Sequence, residues 1–162
     1  MIPHIRSNIS IKTFTDSVKE LKPHIIHFIG HGAEAETDSG EPVGRLVFHS
    51  DDFREEEGVD SEELRKRFAR ILADKCPLKL VFLNACLTGL QARAISAAGL
   101  TVIGSNSNIN SVNARRFATG FYKKYSENED VNAAVHDGFD YVVDAVDYVQ
   151  VFENGQEIDL KR

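Results

Sequence analysis

Apolar positions along this chain form two kinds of run, which alternate. Short continuous stretches of branched and aromatic side chains read as strands. They are residues 24–30 (HIIHFIG), 45–49 (RLVFH), 78–84 (LKLVFLN), 100–104 (LTVIG) and 148–152 (YVQVF). Helical periods lie between them. The first covers residues 11–21. A second opens at Asp60 or Ser61, either of which can cap. Glu62 and Glu63 suit its first turn, Leu64, Phe68, Ile71 and Leu72 line one face, and Pro77 stops it. Residues 88–98 (TGLQARAISAA) predict a small-residue helix closed by Gly99. Residues 113–125 place Phe117, Phe121, Tyr122 and Tyr125 on one face, and 131–143 predict another helix. Asn154-Gly155 is a turn signal with a possible hairpin return. Strands alternating with helices predict an α/β fold: a mostly parallel sheet with helices on both faces. The acidic stretches 32–44 and 50–60 read as solvated loops.

A length of 162 residues predicts one domain, 1–162. A helix so near the first residue, with no strand before it, suggests a piece of a longer protein. The net charge of -6 argues against nucleic acid and anionic membrane surfaces as partners. No apolar run approaches the ~20 residues of a membrane span, and the opening MIPHIRSNIS lacks the apolar core of a signal peptide. Two cysteines are too few for a disulfide scaffold, so a reducing, cytoplasmic location is expected. Cys76 and Cys86 flank a predicted strand, which sets them ~25–30 Å apart, far beyond disulfide reach.

Sites on open parallel sheets form beyond the carboxyl ends of strands. Here one strand runs into His31-Gly32 and another into Ala85-Cys86. If the two strands are neighbours, His31 and Cys86 meet on one rim. An imidazole that takes the thiol proton generates the nucleophilic thiolate and can later protonate a leaving group. A helix starting near Thr88 points its positive end at Cys86, which favours the thiolate. Gly32 allows close backbone approach, and the N–H groups of Gly32 and Cys86 are candidate oxyanion donors. Each residue alone also has a plain reading, Cys86 as a buried small hydrophobe and His31-Gly32 as a turn. His24, His27 and His31 are poorly spaced for a metal, since His24 and His27 face opposite sides of a strand. His27 is expected to pack beside the site, and His4, His49 and His136 to be solvent-facing or structural. No metal or cofactor is implied.

The blocks HFIGHG (27–32) and VFLNACLTG (81–89) resemble the CHAT family of caspase-like peptidases. LTVIGS (100–105), RRFATGFYKKY (115–125) and residues 130–139 resemble its later blocks, so the likeness spans about residues 23–143. It implies a caspase–hemoglobinase fold and peptide-bond cleavage through a thioester. His31 and Cys86 would form the dyad, and the amides of Gly32 and Cys86 the oxyanion site. Family members often sit inside larger proteins with sensor domains, many in prokaryotic defence. There are two departures. The family often carries Trp and Asp after the strand equivalent to LTVIGS, where this chain has Asn106-Ser107-Asn108-Ile109-Asn110. Relatives in the wider clan place an acidic residue two before the cysteine, where this chain has Asn84, which either lines a polar pocket or merely ties down the strand end. Asn84, Ser105 and Asn106 are therefore the substrate-pocket candidates.

The leading expectation is a cysteine endopeptidase acting on a protein or peptide and switched by a partner or attached sensor domain. A catalytically silent interaction module and another thiol hydrolase acting on small substrates are the alternatives.

Overall fold

The computed structural model describes residues 2–52, 54–142 and 148–160. Its core is a five-stranded sheet in the order β1-β5-β6-β7-β8, built from β1 (Ile25–Ile29), β5 (Leu80–Asn84), β6 (Thr101–Ser105), β7 (Val149–Glu153) and β8 (Gln156–Glu157). β1, β5 and β6 are parallel, and β7 and β8 are antiparallel to their neighbours. The expected mostly parallel sheet is thus only partly so. Asn154 (φ 51°) and Gly155 (φ 76°) both adopt left-handed backbone, a two-residue turn that returns the chain antiparallel.

Alternation along the strands sends side chains to two cores. Leu80, Phe82, Ile103, Val149 and Val151 meet Phe117, Phe121 and Tyr125 of α4 (Ser111–Asn128) and Ala134 and Val135 of α5 (Val131–Asp140). Val81, Leu83, Val102 and Phe152 meet Val18 of α1 (Ile11–Leu21), Leu64, Phe68 and Ile71 of α2 (Ser61–Ala73), and Ala92 and Ile95 of α3 (Gly89–Ser96). All five residues of β5 are buried. Burying each large apolar side chain contributes about 1.5–3 kcal/mol before entropy is counted.

The helices start where polar caps allow. Ser10, Asp60, Asn110 and Asp130 each accept a backbone N–H of the first turn of α1, α2, α4 and α5. α1 follows its predicted bounds. α2 ends at Ala73, ahead of Pro77, with Lys75 in left-handed backbone (φ 55°). α4 is longer than its apolar face suggests, because Asn110 caps it early and Glu129 (φ 55°) closes it late. The last predicted residue of the 131–143 helix, Val143, lies outside the described residues.

The two acidic stretches are not plain loops. Residues 32–44 hold β2 (Gly32–Glu36) and the start of β3 (Pro42–His49), and 50–60 holds β4 (Glu56–Asp60). They form a separate antiparallel sheet, β2-β3-β4. An antiparallel sheet can leave one face in water, and Leu46, Phe48 and Val59 turn its other face into the first core.

Candidate functional site

β1 and β5 are neighbours, with Ile29 opposite Asn84 at their carboxyl ends. The ladder ends at that pair, and the chain continues two residues beyond each strand, to His31 and to Cys86. Beyond Ile29 the chain turns into the small sheet, and the His31 carbonyl accepts the Val47 N–H at 3.0 Å. Gly32 packs directly on the cysteine turn. A Cβ there would overlap the Cys86 carbonyl and lie 2.7 Å from the Thr88 methyl.

Past Cys86 the chain reverses sharply. Leu87 is left-handed (φ 50°), and Thr88 leads into α3. Such a conformation in a branched non-glycine residue is strained, and Thr88 holds it. Its hydroxyl is fully buried, accepts the Ser105 N–H at 2.9 Å and lies 3.2 Å from the Ala85 carbonyl as donor. The Thr88 N–H reaches the Ser105 carbonyl at 2.8 Å, and the Leu87 N–H reaches the Ser107 carbonyl at 3.2 Å. One threonine thereby ties the ends of β5 and β6 together beside Gly32. Thr88→Val leaves the Ser105 N–H buried without a partner. It is expected to lower unfolding free energy by about 1–3 kcal/mol, read by urea denaturation, whereas Thr88→Ser retains most of it.

Cys86 is half-buried. Its Sγ accepts the Ile109 N–H at 3.2 Å, and its thiol donates to the Ile109 carbonyl at 3.9 Å. Ile109 packs its side chain against the second core. The His31 side chain is exposed, and no hydrogen bond joins it to Sγ among the described residues. Cys76 and Cys86 are both free thiols.

The pocket candidates separate. Asn84 is 9% exposed, and its amide donates to the Ala114 carbonyl at 3.5 Å, tying β5 to α4. Ser105 is buried, with its hydroxyl donating to the Ser107 carbonyl at 2.9 Å. Asn106 is exposed and lines an open cavity of about 470 Å³ shared with His136, Gln150 and Glu157. A second cavity, about 420 Å³, lies beside Leu80 and Thr101 at the opposite ends of the strands.

His27 stacks on Phe82 (4.7 Å, 5°) next to Tyr122, and its Nε2 is buried without a hydrogen-bond partner. Desolvation lowers its pKa to about 4, and burial raises that of Tyr122. His4 is exposed, while His49 and His136 are half-buried. Among the described residues no three His, Cys, Asp or Glu side chains gather as a metal site, and no helix is long and apolar enough to cross a membrane.

Sequence reasoning missed Thr88 and Ile109. The Thr-Gly pair after Cys86 carried a signal for the first. Ile109, the lone apolar residue in the polar stretch 106–110, carried one for the second.

A partly parallel central sheet flanked by helices is consistent with a caspase-clan, cysteine-peptidase-like domain. The sequence matches the CHAT domain family over residues 1–138, and the chain belongs to that family. No curated protein matches the chain.

Proposed function

We propose that this domain is a cysteine endopeptidase with Cys86 as nucleophile and His31 as its base. The observation that carries the reading is that β1 and β5 are parallel neighbours whose continuations meet, with Gly32, next to His31, packed on the Cys86 carbonyl. The imidazole takes the thiol proton, and sulfur adds to the scissile carbonyl. The tetrahedral intermediate collapses to a thioester as the proton passes to the departing amine. Water then enters, gives up a proton to His31 and releases the acid, returning the thiol. The N–H groups of Gly32 and Cys86 serve the oxyanion. Support comes from the trans His31–Gly32 peptide: its carbonyl bonds to Val47 of β3, so its N–H points away from β3 and is left for a substrate oxygen. Of the pocket candidates Asn106 is the exposed one that a substrate would meet, with Asn84 and Ser105 buried and bonded within the chain, and a protein substrate with a regulatory partner completes the proposal.

A second reading, a silent interaction module, is favoured by one observation: the Cys86 thiol bonds to Ile109 and not to His31. Treatment of the folded chain with a thiol-directed peptide warhead, mapped by mass spectrometry, separates the two. Peptidase chemistry predicts labelling at Cys86, slowed at least roughly a hundredfold by His31→Ala. Equal labelling of both proteins would sink the dyad.

A further inference from the structure

Both hydrogen bonds of the Cys86 thiol go to the backbone of one residue. Sγ lies 3.2 Å from the Ile109 nitrogen and 3.9 Å from its oxygen. An attackable carbonyl must come within about 3–3.5 Å of the nucleophile, and the Ile109 peptide already fills that neighbourhood on one side. The segment carrying it is a strap tied at both ends. Ser105 and Ser107 fix it to the cysteine turn through Thr88 and Leu87. At the other end Asn110 caps α4 by accepting the Val112 N–H at 2.8 Å. Between these ties Asn106 and Asn108 are exposed, so Ile109, packed on the second core, is the apolar anchor of the strap.

We propose that residues 106–110 form a self-occluding strap, with Ile109 holding the Cys86 thiol in a closed resting state that opens when the strap is displaced. This rests on the reading of Cys86 as the nucleophile. Ile109 is a gating residue that acts on the thiol through its backbone, and its side chain decides how firmly the gate is held.

The test is the rate of Cys86 alkylation by iodoacetamide in the full chain carrying Cys76→Ser, which leaves one thiol. Ile109→Ala is expected to raise the rate roughly tenfold, the factor for losing about 1.4 kcal/mol of closure. Ile109→Val, which restores the anchor, is expected to stay within about twofold of the parent. An Ile109→Ala rate equal to or below the parent's, with the thermal transition retained, overturns the strap. If Ile109→Ala does not fold, Asn110→Ala, which unties the strap from α4, is expected to raise the rate likewise, and an unchanged rate there overturns it. Iodoacetamide needs neither His31 nor peptide recognition, so the two readings fail separately. Faster alkylation without peptide cleavage removes the peptidase and keeps the strap. Cleavage with alkylation indifferent to Ile109 does the reverse.

Discussion

Gly32→Ala is expected to reduce Cys86-dependent peptide cleavage at least about a hundredfold and to lower unfolding free energy by about 1–3 kcal/mol. The added carbon has nowhere to go. On one side is the Cys86 carbonyl, which is backbone and cannot rotate aside. On the other, 2.7 Å away, is the methyl of Thr88, whose hydroxyl is committed to Ser105 and the cysteine turn. Relief requires β2 to lift off the turn, and because His31 immediately precedes Gly32 the imidazole moves with it. The same variant disturbs the proposed oxyanion donor. Single-turnover cleavage beside urea unfolding checks both effects. If the Gly32→Ala protein cleaves at the parent rate, the rim is not as tightly closed as its geometry requires.

Acid is expected to destabilise the fold through His27. Desolvation holds this imidazole at a pKa of about 4, against 6.5 for the free side chain. Between those values the unfolded chain binds a proton that the folded chain does not, so stability falls as pH drops from 6.5 toward 4. The full contribution is present above 6.5 and gone below 4. A shift of about 2.5 units at ~1.4 kcal/mol each sets an upper bound of roughly 3.5 kcal/mol. His27→Phe preserves the stacking on Phe82 and removes the titrating group together with its unpartnered Nε2. Unfolding free energies at pH 7 and pH 4.5 test this. The parent should lose clearly more than His27→Phe over that interval, since carboxylates common to both proteins cancel. Equal losses would show that another group drives acid unfolding.

β5 was legible because burial on both faces leaves no polar alternation, and β1, an edge strand only partly buried, was legible from its short run of branched and aromatic residues. Their adjacency was legible only as a condition, since nothing in either run names its neighbour. Register supplied it, and the constant offset of 55 between β1 and β5 turns two motifs into one rim. In the small sheet β3 was legible from RLVFH, but β2 and β4 were hidden for the opposite reason. In β2 the inward positions are Ala33 and Ala35 and the outward ones Glu34 and Glu36, a period of two with too little apolar weight to register. The direction of β7 was not visible either, because its sequence reads the same whichever way it pairs. Thr88 and Ile109 act through backbone groups, by hydroxyl and by main chain, and apolar patterning is blind to such roles. His31, Gly32 and Cys86 could be singled out as candidates because their chemistry is written in side chains, or in the lack of one.

The placement of the small sheet bears on how this domain can diversify. Between His31 and the cap of α2 the chain makes the small antiparallel sheet, which packs one face on the first core while its β2–β3 tip, near Gly40, is exposed. The proposed pairing of His31 with Cys86 depends on the β1–β5 ladder, which lies outside that excursion. Lengthening, shortening or recharging the hairpin changes what can approach the rim while the spacing across it stays fixed. Selection can therefore rewrite access and keep chemistry, with the acidic sheet as the adjustable part.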